Sequence, residues 1–374
     1  MYIRGLAKII IEALQPGQTV VLAGSRRTGK TFVMNQIMQQ LPKNSVLEFL
    51  GDDLDSAEQL SQPRLSVLKR LVEGFRYIFI DEAQMIPNIG QTVKLMIDKI
   101  PGISIFLTGS SSLDLKGNAG DPLTGRGVQY FMYPLAQSEL AENYMTIHQS
   151  LDLKLIYGLY PQVYSETDLK KKRQILENIR NGYLLKDILM LDNVKDSLFI
   201  NQLLKLIAFQ IGNDVSYSEL ANTLGVSKNT VMRYLDLLEK CFVIFSLRGF
   251  NRNLRKEVVK SPRYYFWDNG IRNVIISNFN GLQNRDDIGR LWENYCISER
   301  MKHNHYRGYG AQYYFWRTYD QKEIDFVEEI NGHLSGFEFK WGDKKYKIPQ
   351  EFLSTYENSE ITIVNRDNYL NYIM

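Results

Sequence analysis

The sequence predicts an α/β protein with more than one domain. At 374 residues the chain exceeds what one ordinary core supports, and its contents of 44% hydrophobic and 23% charged residues are typical of globular domains. Strands and helices alternate from about residue 19 to about residue 110, which predicts a doubly wound parallel sheet. Helical periodicity dominates the middle of the chain, and three strands joined by turns follow near its end.

Composition also indicates the cellular compartment in which the protein is expected. The chain contains no run of 18 apolar residues, so we expect no membrane span. The apolar N-terminus, MYIRGLAKIIIEALQPGQ, lacks a small-residue cleavage site and predicts an amphipathic helix instead of a signal peptide. Cys241 and Cys296 are too few for a disulfide framework or a zinc site, which favours a reducing cytoplasm.

The first element with chemistry is a glycine-rich loop. A β-branched strand, Thr19–Ala23, runs into GSRRTGKT at residues 24–31 and then into a helix. This is the spacing G-x-x-x-x-G-K-[ST] in the strand–loop–helix context that a phosphate-binding loop requires. Gly24 and Gly29 allow the tight turn, and a helix that begins at Lys30 directs its positive dipole end at the phosphates.

The loop predicts a site for a nucleotide and a divalent metal. The Lys30 ammonium can reach the β- and γ-phosphates, and the Thr31 hydroxyl can ligate Mg²⁺. Backbone N–H groups of the loop can approach the phosphate oxygens. The predicted nucleotide-binding residues of this loop are Gly24, Ser25, Arg26, Arg27, Thr28, Gly29, Lys30 and Thr31.

A second, acidic strand supplies the metal and water chemistry. In YIFIDEAQ, the apolar residues 77–80 predict a central strand that is covered on both faces, and Asp81 and Glu82 follow at its carboxyl end. Asp81 would hold Mg²⁺ through water, and Glu82 would polarise the water that attacks the γ-phosphate. The strand ISIFLTGS then ends at Thr108 and Ser110, whose hydroxyls would lie beside that phosphate.

Other elements complete this part of the sheet. A strand is predicted from Val46 to Leu50, between the loop and the acidic strand, and helical material follows from about Ser56 to Leu71. Another helix is predicted from about Gln91 to Lys99.

These motifs resemble AAA+-type P-loop ATPases, and more narrowly a prokaryotic family of ATP-binding proteins. The motifs read GSRRTGKT, IDEAQ, LTGSS and TGRGVQYFMYPLAQSEL here. Ser25 replaces a proline of the family pattern and AQSEL lacks an aromatic residue, but neither departure removes a catalytic group. The resemblance implies ATP and Mg²⁺ as cofactors and Thr108 or Ser110 as a sensor. It implies Arg126 as an arginine finger or phosphate sensor, acting within its own subunit or across a homo-oligomer interface.

The middle of the chain has the pattern of a helix-turn-helix. Ser216 with Glu219 three residues later predicts a capped helix ending at Leu224, and Gly225 begins the turn. Ser227 caps a second helix, whose apolar face is Val231, Leu235 and Leu238. Residues that point outward at its start, where a recognition helix meets DNA, are Lys228, Asn229, Thr230 and Arg233.

A basic strand–turn–strand segment follows and predicts the wing of a winged helix. Its cationic residues are Arg248, Arg252, Arg255 and Lys256. From Pro161 to Tyr264, Lys and Arg outnumber Asp and Glu although the whole chain carries only +3, which favours a polyanionic partner in this part of the chain. Winged helices also bind proteins, so a nucleic acid and a protein partner both stay open.

The last third has the layout of restriction-endonuclease-like folds. Glu293 lies near the start of an amphipathic helix, and Asp325 lies in a strand. Glu338 and Lys340 share one face of the next strand because strand side chains alternate. Glu293, Asp325 and Glu338 could ligate a divalent cation, with Lys340 orienting the attacking water. A salt-bridge network in a fold kept for docking is the alternative.

The family resemblance covers nearly the whole chain. It implies an ATPase domain over residues 1–145, a helical winged-helix region over 146–265 and a restriction-endonuclease-like domain over 266–374. We therefore expect a cytoplasmic ATPase that couples Mg²⁺-ATP to a nucleic-acid-directed, nuclease-like module. The alternative is a nucleotide-gated regulatory protein whose winged-helix and nuclease-like parts bind a protein partner.

Overall fold

The computed structural model describes residues 4–109, 127–184, 197–250, 261–318, 322–342 and 348–374. Two compact units divide the chain, one that ends at Tyr133 and one that begins at Pro134. Ser110 and Arg126, and the predicted wing residues Arg252, Arg255 and Lys256, lie outside the described residues.

The first unit is a five-stranded α/β sheet. Its strands are β1 Thr19–Ala23, β2 Val46–Leu50, β3 Tyr77–Asp81, β4 Ser104–Gly109 and β5 Gly127–Phe131. Its helices are α1 Leu6–Ala13, α2 Lys30–Gln40, α3 Leu54–Ser61, α4 Leu65–Leu71 and α5 Ile89–Lys99, with 3₁₀ turns at Lys43–Ser45 and Ala83–Met85.

Every strand pair in this sheet is parallel, in the order β2-β3-β4-β1-β5. Parallel strands need both faces covered, and β1 and β4 are accordingly buried at every residue. The carboxyl ends of β1, β3 and β4 therefore meet at one edge of the sheet. The predicted parallel α/β sheet is confirmed, and this edge carries the predicted nucleotide site.

Side-chain alternation explains how one sheet supports two layers of helices. Val21, Ile78, Ile105 and Leu107 pack with residues of α3, α4 and α5 in one core. Phe79 and Phe106 alternate with them and contact each other, with ring centroids 5.3 Å apart. α1 and α2 contact each other, and α2 also contacts β4.

The second unit begins with helices and ends in a mixed sheet. Its helices are α6 Tyr144–Gln149, α7 Leu151–Tyr157, α8 Pro161–Ser165, α9 Leu169–Ile179, α10 Ser197–Phe209, α11 Tyr217–Leu224, α12 Lys228–Lys240, α13 Asn269–Ile275, α14 Ile288–Arg307, α15 Gln350–Thr355 and α16 Tyr369–Ile373. A π-helical segment spans Arg180–Leu184, and 3₁₀ turns span Gln137–Glu139 and Leu282–Asn284. Its strands are β6 Ile244–Gly249, β7 Arg263–Phe266, β8 Gln312–Arg317, β9 Glu323–Ile330, β10 His333–Phe339 and β11 Ser359–Val364.

These six strands form one sheet, in the order β11-β10-β9-β8-β6-β7. β6 and β7 form an antiparallel pair, and β6 continues into the C-terminal strands through parallel pairing with β8. The strands that the sequence predicts as a wing thus extend the C-terminal sheet. The predicted boundary between residues 265 and 266 stays a prediction, since the chain is continuous in one compact unit there.

None of the helices in the described part of the chain combines the length and the apolar character that a membrane crossing requires.

Candidate functional site

The glycine-rich loop has the backbone geometry of a phosphate cradle. Gly29 has a φ of 99° immediately before α2 begins at Lys30. A Cβ at Gly24 would lie 2.1 Å from the carbonyl oxygen of Met132, so no larger residue fits there. The loop therefore turns tightly into the start of a helix, where N–H groups and the dipole favour an anion.

The Lys30 side chain is hydrogen-bonded to the backbone of its own loop. Its side chain is buried, and its Nζ donates to the carbonyl oxygens of Gly24 at 2.8 Å and Ser25 at 3.1 Å. The Thr28 hydroxyl donates to the same Ser25 carbonyl at 2.8 Å. These bonds hold the ammonium against the backbone of the loop.

The loop and the acidic strand meet at Thr31 and Asp81. The Thr31 hydroxyl donates to Asp81 Oδ2 at 2.8 Å, and the Thr108 hydroxyl donates to Asp81 Oδ1. The Thr108 oxygen also accepts the backbone N–H of Glu82 at 3.0 Å. Strands β3 and β4 therefore place a hydroxyl and a carboxylate beside the loop, and such hard oxygen ligands fit Mg²⁺.

The backbone of Glu82 has a conformation that is rare for residues other than glycine. Its φ is 48°, in the left-handed region that non-glycine residues rarely adopt, directly after Asp81. Its carboxylate is half-buried and accepts a hydrogen bond from the Gln84 side-chain amide. Such strain persists where the surrounding structure fixes it, often at functional sites.

Gly51 is part of this site although sequence reasoning missed it. Its backbone N–H donates to the Asp81 carbonyl at 2.8 Å. A Cβ on Gly51 would lie 2.3 Å from the Glu82 carbonyl oxygen and 2.9 Å from that of Asp81. The strand end thus requires a residue with no side chain opposite the Asp81–Glu82 turn. The only local signal was a glycine directly after predicted β2.

The helix pair in the second unit matches the predicted turn. Ser216 accepts the Glu219 N–H at 3.3 Å and Ser227 accepts the Thr230 N–H at 3.1 Å, so each serine caps a helix. Gly225 ends α11 with a φ of 67°. The predicted inward residues Val231, Leu235 and Leu238 are all buried.

Three of the four predicted contact residues of α12 face solvent, and the fourth, Thr230, is half-buried. Lys228, Asn229 and Arg233 are exposed, and Arg233 lies over the ring of Tyr234 at 5.5 Å from its centroid. Arg248 is exposed on β6, which runs toward the part of the predicted wing that is not described. These positions carry cations at the start of α12, as the sequence predicts.

Asp325 and Glu338 lie on neighbouring antiparallel strands. β9 and β10 pair through Phe326 and Phe337, and Asp325 and Glu338 are the next residues along each strand. Both are buried, with exposed fractions of 8% and 3%. Asp325 accepts the backbone N–H of Phe339 at 3.1 Å, and Lys340 Nζ contacts Glu338 Oε1 at 2.5 Å.

Glu293 meets this cluster from α14. Its carboxylate accepts the Tyr265 hydroxyl at 2.7 Å. Burial, and then the charge of Asp325, raise the pKa of Glu293 well above its usual value, and burial also raises the pKa of Asp325. The field of Arg263 opposes both shifts. The four predicted residues are therefore electrostatic neighbours, and Tyr265 and Arg263 join them without any sequence signal.

The carboxylates of this cluster are engaged by protein donors. Each of the three carboxylates accepts a hydrogen bond from a protein donor, and Lys340 is paired with Glu338. Within the described ranges, no three His, Cys, Asp or Glu side chains come close enough together to hold a metal. The predicted nuclease chemistry therefore stays a prediction, and we derive no reaction step through this cluster.

Comparison with known proteins divides the chain into three matched parts. Residues 16–141 match a family described as an AAA domain. Residues 148–283 match a domain of unknown function, DUF8612, and residues 288–372 match another, DUF4143. The first match includes Lys30, Thr31, Asp81 and Glu82, and it supports the predicted P-loop ATPase-like domain. The winged helix and the endonuclease-like fold stay predictions.

Relatives of the chain match it over most of its length. An uncharacterised protein of Haemophilus influenzae is 26% identical over 374 residues, covering 93% of this chain and 86% of the relative. One of Mycobacterium tuberculosis is 25% identical over 343 residues, covering 90% and 73%. One of Methanocaldococcus jannaschii is 24% identical over 339 residues, covering 84% and 73%. A structure of Drosophila ORC bound to AT-rich DNA and Cdc6 matches 73% of this chain and 87% of that chain at 12% identity, with a TM-score of 0.25, too low to compare folds.

Proposed function

We propose that the protein is a Mg²⁺-dependent ATP hydrolase that couples nucleotide binding and hydrolysis to a nucleic-acid-directed module. The observation that carries the hydrolase is the 2.8 Å bond between Thr31 and Asp81. It joins the end of the phosphate-binding loop to the acidic strand end at the sheet edge where α/β proteins bind ligands. The match of residues 16–141 to an AAA domain supports the same conclusion.

The chain's own residues supply binding, orientation and water activation. Lys30 would exchange the carbonyl oxygens of Gly24 and Ser25 for phosphate oxygens, while loop N–H groups hold the β-phosphate. Thr31 and Asp81 would hold Mg²⁺, which when bound offsets the phosphate charge. Glu82 would accept a proton from the attacking water, and Thr108 keeps Asp81 and the Glu82 backbone in register.

Steady-state hydrolysis of ATP, with Mg²⁺ or with EDTA, tests this proposal. Lys30→Ala should abolish nucleotide binding, and Glu82→Gln should keep binding but lower kcat about 10²- to 10⁴-fold, because the general base is lost. Glu73→Gln is a matched control, because Glu73 is exposed beyond the end of α4. Full hydrolysis by Glu82→Gln, or metal-independent hydrolysis by the wild type, would contradict the assignment.

The nucleic-acid proposal rests on α12. Its capped start presents Lys228, Asn229 and Arg233 to solvent, with Arg248 exposed on the following strand. Cations at the start of an exposed second helix are what a recognition helix brings to phosphates and base edges. The alternative is a nucleotide-gated regulatory protein that grips a protein partner through these surfaces.

Fluorescence anisotropy with double-stranded DNA over a salt series distinguishes the nucleic-acid proposal from the protein-partner alternative. The double variant Lys228→Ala/Arg233→Ala should weaken binding and reduce the salt slope by about 2, since each phosphate contact contributes about 1. Lys240→Ala is the control, because Lys240 is at the far end of α12 and paired with Asp236. No DNA binding at low salt, with hydrolysis unaffected by DNA, would favour the protein-partner alternative.

We infer that the C-terminal cluster is a salt-bridge and hydrogen-bond network, which is the alternative that the sequence leaves open. The bonds from Tyr265, Phe339 and Lys340 to the three carboxylates support this. A nuclease assay with Mg²⁺ or Mn²⁺ on single-stranded, double-stranded and branched DNA and on RNA, with and without ATP, is the test. Cleavage by the wild type that Asp325→Ala abolishes would overturn the proposal and restore the predicted nuclease.

A further inference from the structure

A phosphate-binding loop has carbonyl groups that point away from the bound anion and need hydrogen-bond donors. When successive N–H groups of a loop converge on an anion, the carbonyl groups between them point away, and a buried carbonyl needs a donor. Residues of the loop and of the start of α2, Thr28 and Lys30, supply the donors to the carbonyls of Gly24 and Ser25. The carbonyl of Thr28, directly before Gly29, takes its donor from outside the loop.

That donor is Arg4, which precedes α1. Its Nη2 donates to the Thr28 carbonyl at 2.5 Å and its Nη1 to the Tyr133 carbonyl at 3.4 Å. Only 3% of Arg4 is exposed. Burying a guanidinium is costly unless its donors are used, and these two carbonyls accept two of its hydrogen bonds.

The second carbonyl held by Arg4 belongs to a segment that also contacts the loop. Tyr133 follows Met132, whose carbonyl oxygen is the atom that excludes a side chain at Gly24. The Met132 N–H donates to the Ala23 carbonyl at 2.7 Å, and the Met132 methyl lies 3.6 Å from where a Cβ on Gly29 would be. Arg4 therefore ties one end of the loop to the strand segment that packs against both of its glycines.

We propose that Arg4 is a positioning residue for the nucleotide site, holding the Thr28 carbonyl outward so that the N–H groups of residues 25–30 face the phosphates. This inference rests on the proposed nucleotide binding. Arg4 touches neither nucleotide nor metal in this role. A planar guanidinium serves two carbonyls in fixed directions, which neither a lysine nor an apolar side chain of similar length reproduces.

Two measurements on the full-length protein test this role. The first is hydrogen–deuterium exchange of the ligand-free protein, as wild type, Arg4→Met and Arg4→Lys. Arg4→Met should speed exchange of the amides of residues 25–31 at least tenfold and leave those of α5 within threefold. The second is the Kd for a fluorescent ATP analogue, which should rise at least tenfold in Arg4→Met and less in Arg4→Lys.

Arg76→Met is the matched control. Arg76 is an exposed arginine of the same unit, beside the start of β3 and over the Tyr77 ring, so it lies at the opposite end of the parallel strands from the loop. It should leave both the loop exchange and the Kd within twofold of wild type.

The outcomes separate the two proposals. Local acceleration at residues 25–31 with a weaker Kd supports Arg4 as a positioning residue. Acceleration spread evenly over the unit, or none at the loop, overturns it. Local acceleration in a protein whose wild type binds no nucleotide would overturn the hydrolase proposal, while the role of Arg4 in shaping the loop would stand.

Discussion

Replacing Gly51 with alanine tests whether the Asp81–Glu82 turn is fixed by backbone packing. The added Cβ would lie 2.3 Å from the Glu82 carbonyl oxygen and 2.9 Å from the Asp81 carbonyl oxygen. Ordinary Cβ contacts begin at about 3.4 Å, so the backbone of β2 or of the turn must move by about 1 Å to relieve the overlap. Both obstructing groups are backbone atoms, so no side-chain rotation can relieve it.

Two effects of different size should follow. Overpacking of this kind costs about 1–3 kcal/mol, and each kcal/mol corresponds to a Tm decrease of about 3 °C in a domain of this size. A displacement of about 1 Å at a catalytic group can cost about 10²-fold in rate. Because the phosphate-binding loop is not in the overlap, the nucleotide Kd should change by less than about threefold.

Thermal unfolding and steady-state ATP hydrolysis of Gly51→Ala measure both effects. Gly289→Ala is the control, because its added methyl group would meet nothing within 4 Å and its backbone is helical. A Gly51→Ala protein with wild-type Tm and kcat would refute the packing argument. A decreased Tm in a protein whose wild type does not hydrolyse ATP would uphold the packing argument and refute the hydrolase.

Three further changes have expected outcomes. Burial raises the pKa of Asp268 to about 6. Its ionisation therefore lowers the unfolding free energy by about 3 kcal/mol as pH rises from about 3 to about 7. Asp268→Asn should flatten that dependence in urea unfolding, and an unchanged slope would contradict it. Lys340→Met should destabilise the protein by about 1.5–3 kcal/mol in the same assay, since Glu338 keeps a buried charge without its ammonium partner. Lys240→Met, which removes the exposed ion pair with Asp236, should cost under about 1 kcal/mol. Thr92→Val removes the 2.7 Å bond to the buried Leu60 carbonyl and should cost about 1–3 kcal/mol; no loss would mean that the carbonyl finds another donor.

The predictable parts of the site are those encoded by short sequence spacings. The phosphate-binding loop, the acidic strand end and the two serine caps each depend on residues within one turn or loop, so spacing alone located them. The parallel arrangement then followed from alternation of strands and helices, which brings β1, β3 and β4 to one edge.

The residues that escaped prediction act across distant parts of the chain. Gly51 meets Glu82 from a neighbouring strand, Arg4 meets the loop from before α1, and Tyr265 meets Glu293 from β7. A single glycine, arginine or tyrosine is common on any surface or in any core. Only the fold identifies its partner, because the contact depends on strand order and helix packing.

The pairing of β6 with β8 joins the predicted wing strands to the C-terminal strands in the second unit. The helix α12, which carries Lys228, Asn229 and Arg233, contacts β6. Strand β6 belongs to the same sheet as β9 and β10, which carry Asp325 and Glu338. Hydrogen bonds run from β6 through β8 and β9 to β10, so these strands cannot separate without breaking a buried sheet. The described strands on both sides of the predicted boundary therefore belong to one sheet, while the boundary itself stays a prediction. Two residue pairs join β6 to β8, Arg248 with Tyr314 and Gly249 with Phe315, so the connection between the strand beside α12 and the strands of the carboxylate cluster depends on this short stretch.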